Sequence, residues 1–365
     1  MTTPISIAEP LIGLAEQERV LDVLDSGMLA DGPVVREFEE EFAAYVNAEF
    51  GVATSNGTTA LHAALEGLGL GPGDCVVTTP FTFIATANAI ALTGAEPEFV
   101  DIDPATYNLD PDALEAHLRD GAQVDAVIAV HLYGLPADMP RLRELADEYD
   151  FYLVEDAAQA HGAMVDGERV GSLGDVGCFS FYPTKNMTTS EGGMITTNHT
   201  GVAERAARFV DHGRREGYVH DVVGHNFRMT SIEAAIGLAQ LNRLEEFTAA
   251  RQENAAKLTA GLTGIEGIET PVIPDGRTHV FHQYTVRAAD RDALHDHLTA
   301  LDIASKVYYP LPLHRQPVYD HVSAMMPQAD AAAARVLSLP VHPALSDADI
   351  DRIIRAIEGF VEVPQ

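Results

Sequence analysis

The sequence predicts an α/β architecture with a mostly parallel sheet, followed by a smaller second α/β unit. Three observations carry that expectation. Over the first two-thirds, short β-rich apolar runs alternate with amphipathic helical patterns, as in strands joined by crossover helices. A long helical pattern over 231–262 then breaks the rhythm and bridges to the C-terminal part. The chain's 365 residues also exceed the ~250–300 that one hydrophobic core usually serves.

In chain order, strands are predicted at 75–78, 97–101, 126–131, 151–155, 176–181 and 194–197, with helices between them at 58–67, 86–91, 110–119 and 139–149. Asp110-Pro111 marks one helix start, a capping carboxylate before a proline at the first helical position. Beyond the bridging helix, 283–287 reads as a strand and 290–301 and 347–361 as helices. No repeat or low-complexity linker interrupts the chain.

Composition removes several function classes. With 55 Asp+Glu against 23 Lys+Arg, the formal net charge is −32. Such a field repels phosphate backbones and anionic lipid surfaces, so neither nucleic acid nor membrane is expected as a partner. No apolar run approaches the ~18 residues of a membrane span, and the start MTTPISIAEP lacks a basic, then apolar, leader; a cytoplasmic location is the expectation. Cys75 and Cys178 have no metal or disulfide spacing. Only three of the basic residues are lysines, Lys185, Lys257 and Lys306; the other 20 are arginines. An acidic, lysine-poor surface predicts a cytosol of very high salt, where screening tolerates self-repulsion.

Ligands of open α/β sheets bind beyond the carboxyl ends of strands. The run Phe151-Tyr-Leu-Val-Glu-Asp156 ends there in two carboxylates, either functional or capping the next segment. After the aromatic run Phe179-Ser-Phe-Tyr-Pro-Thr comes Lys185, before the glycine turn 192–193. An amine has chemistry that arginine lacks, because deprotonated it attacks carbonyls and forms Schiff bases. The segment Ser55-Asn-Gly-Thr-Thr-Ala60 opens a helix, where its backbone N–H groups either hold a phosphate or are merely capped. Phosphate site, strand-end acid and Schiff-base lysine together describe the needs of pyridoxal phosphate.

These blocks, in this order, resemble the DegT/DnrJ/EryC1/StrS family of sugar aminotransferases, of fold type I in the aspartate aminotransferase superfamily. The likeness runs nearly end to end, through Ser26-Gly27, Gly32-Pro33, Asn56-Gly57-Thr58, Gly71-Pro-Gly-Asp74, Thr82-Phe83, Phe99-Val-Asp-Ile-Asp103 and His131-Leu-Tyr-Gly134. It continues through Glu155-Asp-Ala-Ala-Gln-Ala-His-Gly162, Phe179-Ser-Phe-Tyr-Pro-Thr-Lys-Asn186, Gly224-His-Asn-Phe-Arg228 and Leu337-Ser-Leu-Pro340.

The resemblance implies a large domain at 1–245, with an N-terminal arm and a seven-stranded sheet, and a small C-terminal domain at 246–365. It implies that Lys185 bonds pyridoxal 5'-phosphate and shuttles the proton, and that Asp156 pairs with the pyridine nitrogen. Gln159 would contact the phenolic oxygen and Phe83 the ring face. Gly57, Thr58 and Ser180 would bind the phosphate, joined by Asn226 of a neighbouring subunit, so a homodimer with interfacial sites is implied. Arg228, Tyr309 and His314 would meet the substrate; each has a structural alternative, ion pairing for Arg228 and His314 and core packing for Tyr309. The implied reaction moves an amino group from glutamate, or glutamine, to a nucleotide-linked 3- or 4-keto hexose.

The turn 188–193 resembles that of perosamine-type enzymes, which favours the 4-keto sugar, and local arginines, Arg228 or Arg214, are expected to meet the diphosphate. Tyr308 stands where the family often has histidine. The alternatives are a sugar dehydratase, a keto-cyclitol aminotransferase and a non-catalytic sugar-binding regulator. An intact Lys185 and unclustered cysteines count against the dehydratase.

Overall fold

A computed structural model describes residues 3–322 and 325–362. The apolar runs form seven strands of one sheet: β1 (Phe50–Thr54), β2 (Cys75–Thr78), β3 (Glu96–Phe99), β4 (Ala126–Val130), β5 (Tyr152–Asp156), β6 (Val176–Ser180) and β7 (Gly193–Thr197). Their order is β1-β7-β6-β5-β4-β2-β3. Only β7 runs against its neighbours β1 and β6; the rest are parallel.

The strands alternate their side chains between two cores. Val76, Ile128 and Val154 join one face, whereas Val77, Val127 and Leu153 join the other. Helices α1 (Leu14–Ser26), α2 (Pro33–Tyr45), α3 (Gly57–Leu68), α4 (Ala85–Thr93), α5 (Pro111–Arg119), α6 (Met139–Tyr149) and α7 (Thr200–Val210) connect or flank the strands. Residues of α3, α4 and α7 fill the first face and those of α5 and α6 the second. Asp110 caps α5 by accepting from Asp112 N at 2.9 Å, as its sequence predicts.

Two differences from the sequence expectation matter. Residues 51–54 belong to an edge strand, β1, which the short apolar run did not single out. The helix expected over 231–262 is two helices, α8 (Ser231–Leu241) and α9 (Leu244–Leu262). At the break, Asn242 turns its side-chain amide back onto Leu238 O at 3.0 Å, a local bond that competes with the backbone ladder.

Beyond α9, two strands, β8 (Tyr284–Ala288) and β9 (Val336–Leu339), pair antiparallel, with the short strand Ile268–Glu269 on the other side of β8. Helices α10 (Arg291–Ala300), α11 (Pro327–Arg335) and α12 (Asp347–Glu362) follow the same stretch of chain. Leu258 and Leu262 of α9, Leu294 and Leu298 of α10 and Ile353 and Ile357 of α12 build a separate core. Ile5 enters that core from the other end of the chain and exchanges backbone bonds with Asp302 and Ala304, both 2.9 Å.

Three parallel strands close at one edge of the large sheet. Thr54 ends β1, Asp156 ends β5 and Ser180 ends β6.

Candidate active site

The helix that begins after β1 supplies the first part of the site. Asn56 caps α3, accepting from Thr59 N at 2.9 Å, while its own N–H donates to Thr59 Oγ1 at 3.1 Å. The Gly57 and Thr58 N–H groups belong to the first turn and have no intrahelical acceptor. They stay available to an anion, with the positive end of the helix dipole behind them. A side chain on Gly57 would meet Ser180, since a Cβ there lies 2.6 Å from the Ser180 Cβ and 3.1 Å from its Oγ. Gly57, Thr58 and Ser180, expected as phosphate ligands, therefore converge where α3 meets the end of β6.

The two carboxylates ending β5 part company, because successive strand residues face opposite sides of a sheet. Glu155 turns into the protein. It accepts from the N–H groups of Gly171 at 2.8 Å, Leu173 at 2.8 Å and Gly174 at 2.7 Å, and lies 3.0 Å from His131 Nε2. His131 Nδ1 accepts from Ala137 N at 3.0 Å, so its Nε2 carries the proton and donates to Glu155. Fully satisfied, Glu155 anchors the loop after the strand.

Asp156 turns to the other side. It is 5% exposed and, among the described residues, accepts only from Thr86 Oγ1 at 2.8 Å and Ala158 N at 3.2 Å. Burial raises its carboxyl above the ordinary aspartate range, opposed by those two bonds and by the charge of Lys185. Behind Thr86, Thr82 Oγ1 stands at 3.1 Å. Since Thr86 commits its one proton to the carboxylate, Thr82 donates to Thr86. Sequence reasoning missed this pair; their i, i+4 spacing at the start of α4 was its only signal.

Lys185 follows the turn after β6. Its backbone N–H bonds to Tyr182 O at 2.9 Å, and among the described residues no side chain pairs with its amine. Desolvation draws the ammonium down to about 8, with Asp156 acting in the opposite sense. Such an amine reaches its nucleophilic form near neutrality. His161, also missed, is fully buried between the rings of Phe179 and Phe181, at centroid distances of 5.6 and 5.5 Å. Burial and then the charge of Lys185 push it down to about 3, so it is neutral.

Gln159 is fixed by a strained neighbour. Tyr133 has φ 60°, and its N–H donates to Gln159 Oε1 at 2.8 Å. The amide orientation follows: Nε2 faces the pocket and donates to Tyr309 OH at 3.2 Å. Tyr309 lies 6.2 Å from Phe83, and Phe83 is 56% exposed, an open aromatic face at the mouth.

Three further expected residues have their contacts outside the Gln159–Tyr309 group, although the backbone of Arg228 is bridged to Thr54 at the end of β1. Arg228 is paired with Asp211, which also takes Arg214 at 3.3 Å; both arginines expected for a diphosphate thus share one aspartate. The His314 side chain is buried 3.2 Å from Asp330, and neither its hydrogen bonds nor its ring contacts join the Gln159–Tyr309 group. Asn226 is exposed, with its backbone bridged to Asp211.

The pocket fits pyridoxal phosphate on its own terms. It has free amides at a helix N-terminus, a buried carboxylate short of a cationic partner, and an unpaired amine of lowered pKa. The profile of the DegT/DnrJ/EryC1/StrS aminotransferase family matches residues 10–358. The chain belongs to that family. This DegT/DnrJ/EryC1/StrS protein is accordingly a pyridoxal-phosphate-dependent aminotransferase of fold type I. It is 42% identical over 366 residues, 96% of this chain and 98% of the other, to a Geobacillus stearothermophilus protein named "Pleiotropic regulatory protein". It is 40% identical over 351 residues, 94% of this chain and 97% of the other, to the Pseudomonas aeruginosa UDP-2-acetamido-2-deoxy-3-oxo-D-glucuronate aminotransferase. The crystal structure of Streptomyces venezuelae DesV in complex with a ketimine intermediate superposes with a TM-score of 0.93 at 39% identity, over 96% of this chain and 95% of that one.

Proposed function

We propose that this aminotransferase moves the amino group of glutamate onto a nucleotide-linked 3- or 4-keto hexose, for amino-sugar and surface-glycan synthesis. The observation that carries the reading is the combination of a buried Asp156, an unpaired Lys185 of lowered pKa, and a helix N-terminus with free amides packed against Ser180. When bound, pyridoxal phosphate supplies an electron sink for the carbon that loses its proton.

The chain's own residues do the rest. Gly57 and Thr58 N–H groups and Ser180 would hold the cofactor's phosphate, and Asn226 of a neighbouring subunit would be a further ligand. Asp156, whose charge the bonds from Thr86 and Ala158 N favour, would hold a proton on the ring nitrogen. Gln159 would offer its amide N–H to the phenolic oxygen, and Phe83 would cover the ring face. Lys185 takes the proton from the amino-acid α-carbon at its amine and returns it on the other side of the transfer. Amino donor and keto-sugar then use the site in turn.

Tyr218 at 99%, Val223 at 87% and Leu14 at 74% exposure support a homodimer. The reading also places the enzyme in the cytoplasm and divides the chain at 245/246.

The test is a screen of nucleotide-linked keto-sugars against the glutamate-loaded holoenzyme, read by mass spectrometry of the amino-sugar product. Lys185→Ala should abolish both turnover and the visible absorbance of the bound cofactor. Retention of both by that variant removes Lys185 from its role. A regulatory reading is favoured only by the name of the Geobacillus relative; a colourless purified protein that takes no amino group from glutamate would restore it.

A further inference from the structure

In a chain of net charge −32, a doubly charged diphosphate needs a cation that is not already neutralised. Six cations form no ion pair among the described residues: Lys185, Lys306, Arg205, Arg251, Arg352 and Arg355. Lys185 is committed to the reacting carbon. Arg205 is held by Gly67 O, Arg251 is buried on the carbonyls of Phe281 and His282, and Arg352 spans Thr3 O and Leu301 O. Arg355 lines a groove with Ala300–Ile303, Arg352 and Ala356, none of them a residue of the site.

Lys306 is different in its surroundings. Its backbone is clamped to β9 by two bonds with Ser338, 3.0 and 2.8 Å, while the residue itself is exposed. Its amine lies 5.5 Å from the Tyr308 ring centroid. Tyr308 lies 5.8 Å from Tyr309, which accepts from Gln159 and faces Phe83. An unbroken run of rings thus leads from the cofactor-facing amide outward to one free ammonium.

We infer that Lys306 is the diphosphate-binding residue for the sugar nucleotide, its side chain positioned by Tyr308 at the mouth of the pocket. This rests on the nucleotide-sugar reading above. It is an alternative to the expectation that Arg228 or Arg214 meets the diphosphate, two guanidiniums that are already held in place on Asp211.

Holoenzymes of wild type, Lys306→Met, Lys306→Arg and Lys257→Met provide the test. Lys257 is paired with Glu253 and Asp347 at the surface, so its loss changes net charge equally without touching the site. Amino uptake from glutamate, followed by absorbance, should stay within about twofold in all four. In Lys306→Met the KM for the accepted nucleotide-keto-sugar and the Ki of its free nucleoside diphosphate, drawn from UDP, GDP and dTDP, should both rise about tenfold to a hundredfold, the worth of one charged hydrogen bond. Lys306→Arg and Lys257→Met should stay near wild type. Unchanged KM and Ki in Lys306→Met, with wild type active on the sugar, overturn the assignment of Lys306 alone. A wild type that accepts no nucleotide-linked sugar overturns the functional reading and this inference with it.

Discussion

Thr86 Oγ1 donates to Asp156 Oδ2 at 2.8 Å, and with Ala158 N it supplies the hydrogen bonds that a carboxylate buried at the end of β5 receives from the described residues. That bond lowers the Asp156 pKa against the push of burial. Thr86→Val should let the carboxyl rise further and cost about tenfold in kcat/KM for glutamate, with Thr86→Ser returning to within about twofold. A pH titration of the bound cofactor's visible absorbance separates this from a packing defect, because only loss of the hydroxyl moves the inflection.

Glu155 and Asp156 are neighbours with opposite duties. Glu155→Gln replaces an acceptor of four bonds with a side chain that directs two N–H groups at backbone donors. It should destabilise the fold by about 2–4 kcal/mol in urea unfolding. Asp156→Asn should leave the melting temperature of the apoenzyme near wild type and lower amino transfer by more than about a hundredfold.

Gly57 and Ser180 leave no room for a methyl group. In Gly57→Ala the Cβ would lie 2.6 Å from the Ser180 Cβ, so the α3 terminus and the end of β6 must separate. Cofactor affinity by equilibrium dialysis should fall by about tenfold or more. Adding Ser180→Gly removes the clash, and the double variant should bind better than Gly57→Ala alone, a non-additivity specific to that contact.

With its ammonium drawn down to about 8, Lys185 is unprotonated in about one molecule in ten at pH 7. Cofactor attachment to the apoenzyme, followed by stopped-flow absorbance, should therefore speed up about tenfold per pH unit below 8 and level off above it. Asp156→Asn removes the group that holds the amine charged, so the inflection should move to lower pH.

His161 and His279 are both pushed down to about 3 by burial. Between pH 6.5 and 3 the unfolded chain binds protons at these rings and the folded chain does not, so stability falls as pH falls. Each contributes up to about 1.4 kcal/mol per pH unit in that window. Unfolding free energies measured at pH 7.5 and 5.5 should differ less in His161→Asn than in wild type.

Much of this was legible beforehand because it is local or periodic. Helix α6 and strand β2 fall where apolar spacing puts them, and the Asp110 cap was written in two adjacent residues. Lys185 stood out by scarcity, one of three lysines and the one following an aromatic strand. The rest depends on what the chain meets after folding. The break between α8 and α9 came from one asparagine side chain choosing Leu238 O, invisible to an apolar pattern that continues through it. Thr82 and Thr86 looked like ordinary helix-start residues until β5 placed a carboxylate above them. Arg228 and Arg214 read as anion ligands, and only the fold shows that both are held on Asp211.

The sequence by itself determined the alternation of strands and helices, the amine able to do carbonyl chemistry and a net charge of −32. Those follow from hydrophobic period and residue chemistry, which need no coordinates. Only tertiary structure decided that Asp156 faces the site while Glu155 faces the core, and that Gln159 is oriented by Tyr133. Each is a choice among partners brought together from distant parts of the chain, and burial decides it by making an unpaired polar group too costly to leave.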